Sequence, residues 1–439
     1  MRTRAGARVG WVLPWPFAMD NVVAVVLGGG RGTRLFPLTQ YRSKPAVPIG
    51  ASYRLIDVAV SNCIHADLRR IFVITQYQSE SLNRHVGNTY KFDSFASGFI
   101  DVLAAEQTDS RDSDWFRGTA DAVRKCMKHI GRESWDALVI LSGDQLYRMS
   151  LREMLRVHYE SKAAVTVATK AVAAELTSGF GIMKVDAKGR VVHFDEKPPP
   201  ERLGGLASPV PVPGSSSPSY LASMGIYVFE RRTLERELES KEHIDFGKHI
   251  LPGMLSRALV QAYLYDGYWE DVGTVRSYFD ANLALTRENP EFDFYHPRCP
   301  IYTQRPFLAP TRIHGCRIDN ALIGDGCVIE HAEIERAVIG VRMRIARGSS
   351  VKNSLLLGAD EYETLSEAKL VQTDARPALG IGEGSSIENA IIDKNARIGK
   401  NVTIKNARGL TEHDGRSYFV REGIVIVPKG GVIPDGTEI

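Results

Sequence analysis

The sequence has few cysteines, and they are scattered. Its 439 residues include five cysteines and no Cys-x-x-Cys pair, so neither a zinc ribbon nor a disulfide scaffold is predicted. An odd number of isolated cysteines is typical of reduced thiols in a reducing compartment. We therefore expect a cytoplasmic protein.

Long charged runs and long apolar runs are also missing. The formal net charge is only +3 and no Lys/Arg run is present, which argues against a nucleic-acid partner. Near the N-terminus, Arg2, Arg4 and Arg8 precede an apolar stretch that resembles a weak signal peptide. Two prolines interrupt this stretch, and it is too short to span a bilayer. We expect residues 1–19 to form a disordered extension, with Met19 as an alternative start, and no membrane partner.

The most informative stretch joins an apolar run to a cluster of glycines. Val22–Leu27 contains four valines in six residues, which predicts a strand buried on both faces of a parallel sheet. The glycines that follow allow backbone N–H groups to approach a ligand closely. They are Gly28, Gly29, Gly30 and Gly32, and the nearby cations are Arg31, Arg34 and Lys44. Together they predict a cradle for phosphates; the alternative is a tight turn with solvated charges.

Neither of the common phosphate-binding fingerprints is present in this stretch. A dinucleotide fingerprint requires a sixth-position glycine, but counting from Gly28 that position is Thr33. A P-loop requires Gly-Lys-Ser/Thr, which does not occur here. The glycine cluster therefore needs an explanation other than these two fingerprints.

Strand-like and helix-like patterns alternate as far as about residue 300. This alternation predicts an α/β fold with a doubly wound, mostly parallel sheet, in which ligands bind at the carboxyl ends of strands. The glycine cluster, Gln76 and Asp144 all follow predicted strands. Residues 198–219, rich in proline, serine and glycine, predict a mobile loop.

From about residue 310, aliphatic residues recur every six positions. A six-residue period is typical of a parallel β-helix, whose stacked coils bury a ladder of aliphatic side chains; the alternative is an irregular β domain. The recurring residues are Leu322, Val328, Ile334, Ile339, Ile345, Val351, Leu357, Ile381, Ile387, Ile392, Ile398 and Ile404. We predict a catalytic domain at 20–300, a β-helix domain at 301–439 that serves oligomerisation and regulation, and an excursion from the coil at 358–380.

Two pairs of residues suggest the chemistry. Asp144 ends a predicted strand, and Asp271 lies in YWEDVGT just before a predicted helix. Two carboxylates that converge on a triphosphate suit Mg²⁺. Each aspartate alone would more often be a helix cap or a turn residue. Glu196 and Lys197 could hold a sugar hydroxyl and a monophosphate respectively; the alternative is an exposed ion pair. The sequence thus predicts a site for phosphate groups, sugar hydroxyls and a metal ion.

Several stretches resemble the glucose-1-phosphate adenylyltransferase family of sugar-nucleotide pyrophosphorylases, and the resemblance extends from Val22 to Ile439. The stretches include GGGRGTRLFPLT, SKPAVPIG, WFRGTADAVR, ILSGDQLYRM, FDEKP, YWEDVGT, IDKNARIGKN and GIVIVPKGG. The resemblance implies a left-handed β-helix and transfer of the adenylyl group of ATP to α-D-glucose 1-phosphate, the committed step of glycogen synthesis. The sugar phosphate would attack the α-phosphorus in line, without a covalent enzyme intermediate.

The resemblance also implies a role for each matching residue. It assigns catalysis to Arg34, Lys44 and Asp144, and Mg²⁺ binding to Asp144 and Asp271. It assigns the nucleotide to Gly28, Gly29, Gly30, Gln76, Gly118 and Thr119. It assigns the sugar phosphate to Phe116, Gly181, Glu196, Lys197 and Ser223. Phe116 departs from many bacterial members, which carry tyrosine there.

The family further implies a homotetramer that is regulated by anionic metabolites. The matching cations are Arg42, Arg54, Lys394 and Lys429, and the two lysines favour activation by 3-phosphoglycerate and inhibition by orthophosphate; fructose-type sugar phosphates are the alternative activators. Three other functions stay open: transfer to another sugar or from another nucleotide, a silent regulatory subunit, and a hexapeptide acyltransferase. The presence of Arg34, Lys44 and Asp144 argues against the silent subunit.

Overall fold

A computed structural model describes residues 19–93, 98–105, 115–212, 218–305, 307–364 and 376–439. Apart from Met19, which begins a short 3₁₀ turn, the expected N-terminal extension lies outside the described residues, as do parts of the predicted loop and of the predicted excursion. No helix in the described ranges is long and apolar enough to cross a membrane.

The first domain alternates strands with helices. Its strands are β1 (Val22–Leu27), β2 (Pro48–Ile49), β3 (Tyr53–Arg54), β4 (Arg70–Thr75), β5 (Phe99–Ala104), β6 (Ala137–Ser142), β7 (Gln145–Tyr147), β8 (Val165–Ala173), β9 (Gly181–Val185), β10 (Val191–Glu196), β11 (Ala207–Ser208), β12 (Ser219–Glu230), β13 (Val260–Leu264) and β14 (Trp269–Asp271). Its helices are α1 (Leu55–His65), α2 (Glu80–Thr89), α3 (Thr119–Ile130), α4 (Leu151–Ser161), α5 (Arg231–Glu239), α6 (Leu251–Met254) and α7 (Val275–Ala284).

Strand β1 lies inside the large sheet, between β4 and β6, and runs parallel to both. The sheet order is β10-β9-β12-β6-β1-β4-β5, with β12 antiparallel to β6. Val22, Ala24 and Val26 pack into one hydrophobic cluster, and Val23 and Val25 pack into another. The unbroken apolar run is therefore explained, because both faces of this strand are covered. The predicted α/β architecture with a mostly parallel sheet is confirmed.

The second domain stacks short parallel strands into coils. Its strands are β15 (Arg312–His314), β16 (Arg317–Ile323), β17 (Val328–Glu330), β18 (Glu333–Ile339), β19 (Arg344–Ile345), β20 (Ser350–Leu356), β21 (Gly380–Ile381), β22 (Ser386–Glu388), β23 (Ala390–Ile392), β24 (Arg397–Ile398), β25 (Thr403–Ile404), β26 (His413–Asp414), β27 (Phe419–Arg421), β28 (Ile424–Val427) and β29 (Val432–Ile433). One ladder aligns Ile329, Ile345, Ile381, Ile398 and Ile433 across five coils.

The six-residue pattern located most of the interior ladder, but it was wrong at three positions. Leu322, Val328 and Leu357 do not belong to the buried cluster inside the coil. Their neighbours Ile329 and Leu356 belong to it, and Ile323 packs against it. Adjacent residues on one strand point to opposite faces. A prediction that is one position out of register therefore selects a residue on the outer face instead of its neighbour on the inner face.

The outer face of the β-helix is apolar where it meets the first domain. Val338, Leu355, Ile391 and Ile426 stand side by side on four successive coils. They belong to the same hydrophobic cluster as Tyr278 of α7. The two domains therefore share one continuous core.

Candidate active site

The glycine cluster begins at the end of β1. Gly28 N donates a hydrogen bond of 2.8 Å to Ile74 O, and a Cβ at Gly28 would lie 3.0 Å from Leu82 Cδ2. Gly28 is thus constrained by packing. A Cβ at Gly30 would meet nothing within 4 Å, and Gly32 has a φ of +60°, which favours glycine. Gly29 and Gly30 present open backbone to a neighbouring cavity.

This cavity, of about 210 Å³, collects the residues predicted to bind the nucleotide except Gly28, which does not line it. Its lining includes Gly29, Gly30, Gln76, Phe116, Gly118 and Thr119. The backbone N–H of Phe116 donates a 2.7 Å hydrogen bond to Gln76 Oε1. The structure therefore groups Phe116 with the predicted nucleotide-binding residues and not with the predicted sugar-phosphate residues.

A short antiparallel pair brings the two aspartates together. Strand β14 pairs with β7, which places Asp271 opposite Gln145 and beside Asp144. Lys44 Nζ lies 2.8 Å from Asp144 Oδ2 and 3.5 Å from Asp271 Oδ1. One ammonium group thus faces both carboxylates, whose side chains are 23% and 24% exposed.

These three groups shift one another's pKa values. Burial would lower the pKa of Lys44, but Asp144 and Asp271 outweigh it and hold the pKa above its usual range. Burial would raise the pKa of Asp144, but its contacts with Lys44 lower it. The pKa of Asp271 is raised by burial and by repulsion from Asp144, although Lys44 opposes the shift. Asp144 is therefore the carboxylate that stays ionised most readily.

The donor set fits Mg²⁺ rather than a metal held wholly by protein. Among the described residues, no group of three His, Cys, Asp or Glu side chains could hold a metal ion. Mg²⁺ commonly uses one or two carboxylates and completes its shell with water and substrate phosphates. Asp144 and Asp271 meet that need, since both already face one cation.

A second cavity, of about 260 Å³, adjoins the two aspartates. Besides them it is lined by Arg34, Lys44, Gly181, Glu196, Lys197 and Ser223. A Cβ at Gly181 would lie 2.4 Å from Phe194 Cζ and 2.7 Å from Glu196 Oε2, so only glycine fits there. The structure therefore brings together all the predicted sugar-phosphate residues except Phe116.

Asp245 was not singled out from the sequence, although it lines both cavities. Its Oδ2 accepts a 3.1 Å hydrogen bond from Thr119 Oγ1, and its Oδ1 accepts from the backbone N–H groups of Gly247 and Lys248 at 2.9 and 3.1 Å. The available signal was an aspartate at the start of the helix-like stretch DFGKHILPGML, a position typical of an N-cap. Asp245 therefore lies between the cavity that holds the predicted nucleotide-binding residues and the cavity that holds the predicted sugar-phosphate residues.

Comparison with family models gives two matches that divide the chain as the fold does. Residues 23–288, well over half of the chain, match the nucleotidyl transferase family. The protein belongs to that family. Residues 306–438 match the GLGC left-handed parallel beta-helix domain, and the combination is the hallmark of glucose-1-phosphate adenylyltransferases. The predicted family and the left-handed β-helix are thereby confirmed, and the chain is a sugar-phosphate nucleotidyltransferase of this type.

This nucleotidyltransferase has a further cavity, of about 600 Å³, where its domains meet. Three of the predicted effector residues lie in or beside it: Arg54 and Lys429 line it, and Lys394 precedes the lining residue Asn395. Arg54 Nη1 donates to Ser81 O and Ser81 Oγ, both at 2.8 Å. Sequence reasoning missed Arg84, Arg376 and Arg397, which also line the cavity.

Arg42, the fourth predicted effector residue, does not reach that cavity. Its side chain is only 4% exposed and pairs with Asp393 at 2.9 Å, across the junction between the domains. Asp393 is itself 1% exposed. The geometry makes Arg42 a link between the domains rather than a residue open to solvent.

Proposed function

We propose that the protein transfers the adenylyl group of ATP to α-D-glucose 1-phosphate, which yields ADP-glucose and pyrophosphate. The observation that carries the proposal is the position of Lys44. Its ammonium group bridges Asp144 and Asp271 beside the predicted nucleotide and sugar cavities. Because both substrates are phosphates, their charges would meet at this point.

In this reaction a phosphate oxygen of glucose 1-phosphate attacks the α-phosphorus of ATP. A new P–O bond forms, the bond to the β-phosphate oxygen breaks, and pyrophosphate leaves with that electron pair. Rate acceleration depends on holding the reactants in line and on stabilising the phosphate charge. The backbone of Gly29 and Gly30 would orient the nucleotide, and Arg34 and Lys44 would neutralise its phosphates.

The second substrate would be held at the other end of the site. Lys197 would take the phosphate of glucose 1-phosphate, while Glu196, Ser223 and the backbone at Gly181 would face the sugar. Burial raises the pKa of Glu196, and Asp245 adds to the shift although Lys197 opposes it. Asp144 and Asp271 would hold Mg²⁺, which when bound supplies positive charge that stabilises phosphate oxygens.

The wider role follows from the same proposal. ADP-glucose production from these metabolites would take place in the cytoplasm and commit glucose to glycogen. Phosphorylated metabolites would regulate the enzyme through the cavity between the domains, and the chain would assemble as a homotetramer.

The test is release of pyrophosphate by the purified protein with Mg²⁺. We expect ATP with glucose 1-phosphate to be the best pair in a panel of ATP, UTP, GTP and CTP with several sugar 1-phosphates. Lys44→Met should abolish the activity. Lys352→Met is the control, because Lys352 pairs with Glu335 on the β-helix. Preference for another pair would replace the substrate assignment, and inactivity with every pair would contradict catalysis.

A further inference from the structure

The cavity between the domains already contains a negative charge that belongs to the chain itself. After β20 the chain turns at Gly358, whose φ is +85° and where an added Cβ would lie 2.3 Å from Val341 O. Two residues later, Asp360 N donates a 2.8 Å hydrogen bond to Asn395 Oδ1, and Asn395 Nδ2 donates at 3.0 Å to Asp360 Oδ2. These contacts fix the carboxylate of Asp360 against the β-helix.

Both oxygens of this carboxylate are engaged by the two lysines that the sequence assigned to an anionic effector. Lys394 Nζ lies 2.9 Å from Asp360 Oδ1, and Lys429 Nζ lies 2.7 Å from Asp360 Oδ2. The lysine side chains are 15% and 33% exposed. Burial would raise the pKa of Asp360, but the lysines lower it well below its usual range. Asp360 is therefore ionised at neutral pH.

The environment of Lys394 explains why a counter-charge matters. Burial lowers the pKa of Lys394, Asp360 opposes the shift, and repulsion from Arg54 and Arg42 adds to it. Without Asp360, these cations would face one another with less compensation. A site of that kind would attract anions strongly, since like charges close together favour any bound counter-charge.

We propose that Asp360 is an internal anion that competes with phosphorylated effectors for Lys394 and Lys429. A phosphate group offers the same chemistry as this carboxylate, because it presents negatively charged oxygens to lysine ammonium groups. An effector must therefore displace Asp360 from at least one lysine, and the carboxylate sets the concentration at which effectors act. The inference rests on the anion site of the proposed function.

The neighbouring acid provides a charge-matched control. Glu361 also lines the cavity, yet it forms no ion pair within the part of the chain that the structure describes. Glu361→Gln changes the net charge by the same amount as Asp360→Asn. A general electrostatic effect would be similar in both variants, whereas competition for the lysines would appear only in Asp360→Asn.

The experiment measures binding of orthophosphate and of 3-phosphoglycerate to the full-length protein by isothermal titration calorimetry at fixed ionic strength. Asp360→Asn should bind both anions about threefold to tenfold more tightly, because it breaks two partly exposed ion pairs and leaves both lysines available to the anion. Glu361→Gln should change the dissociation constants less than twofold. Lys429→Ala should weaken binding, and adding Asp360→Asn to Lys429→Ala should recover only part of the loss.

Unchanged or weaker binding by a folded Asp360→Asn variant would overturn the inference. Should that variant fail to fold, Asp360→Ser removes the same charge and is judged by the same criterion. The pyrophosphate-release assay is read separately. Activity without tighter anion binding would refute the internal anion alone, and tighter binding without activity would refute the proposed reaction alone.

Discussion

The buried ion pair between Arg42 and Asp393 should contribute strongly to stability. The two side chains are 4% and 1% exposed, and Asp393 Oδ1 otherwise accepts only the backbone N–H of Lys394, at 2.6 Å, among the contacts described. Arg42→Met would leave this carboxylate buried without its cation. Breaking one partner of a buried pair costs about 3–5 kcal/mol. Because the unfolding entropy is about 2.1 cal/mol/K per residue, a loss of this size in a 439-residue chain should lower Tm by about 3–5 °C.

Differential scanning calorimetry at a fixed scan rate would measure the effect. A double-mutant cycle also needs Asp393→Asn and the variant that carries both substitutions. In that double variant, Asp393→Asn removes the carboxylate charge that Arg42→Met leaves unpaired. The double variant should therefore be more stable than the sum of the single losses predicts. Arg156→Met, at an exposed ion pair with Glu160, should leave Tm unchanged. Strict additivity, or a Tm for Arg42→Met equal to the wild-type value, would refute the reasoning.

Four other expectations concern the site, the fold and the assembly. Asp144→Asn should lower kcat by orders of magnitude without altering the circular dichroism spectrum, since charge stabilisation at a metal site is worth several kcal/mol; near-normal turnover at saturating Mg²⁺ would contradict it. Lys197→Ala should raise KM for glucose 1-phosphate and spare KM for ATP, so equal effects would argue against separate pockets. Burial lowers the pKa of His158 to about 4. As the pH falls, the unfolded chain therefore binds a proton at this histidine before the folded chain does, and the free energy of unfolding should decrease by about 3 kcal/mol between about pH 6.5 and 4. Denaturation of His158→Gln should show a weaker pH dependence there. Light scattering should give four times the chain mass of 48.6 kDa, and a monomer at micromolar concentration would count against the tetramer.

The pattern of apolar residues was sufficient for the architecture, but not for the inner face of every coil. Three consecutive leucines, Leu355 to Leu357, offer two phases for the six-residue repeat. Leu356 packs inside, whereas Leu355 and Leu357 join the cluster shared with the first domain. Periodicity assumes one apolar face and one polar face. It fails where both faces are buried, as they are at this junction.

The site was predictable where a local motif carries the chemistry. Gln76 and Asp144 come just after strands of the large sheet, whose geometry brings such positions to one edge, and the pairing of β14 with β7 adds Asp271. Asp360 carries no such signal, because its importance depends on two lysines that lie 34 and 69 positions further along the chain. The burial of Arg42 could not be predicted from the sequence either, since its partner Asp393 belongs to the other domain.

The apolar seam is the surface where Val338, Leu355, Ile391 and Ile426 of the β-helix share a hydrophobic cluster with the first domain. This seam also constrains how the chain reaches its native state. During synthesis the first domain emerges before the β-helix, and until β18 and β20 arrive with Val338 and Leu355, the side of α7 that these strands cover has no permanent partner. The nascent protein must carry that exposed surface through the production of roughly seventy further residues, from Ala284 to Leu355. A shortened chain that ends near residue 300 would carry it permanently and should associate with itself or with chaperones. Separating the halves for use as independent modules would require new polar residues along both sides of the seam.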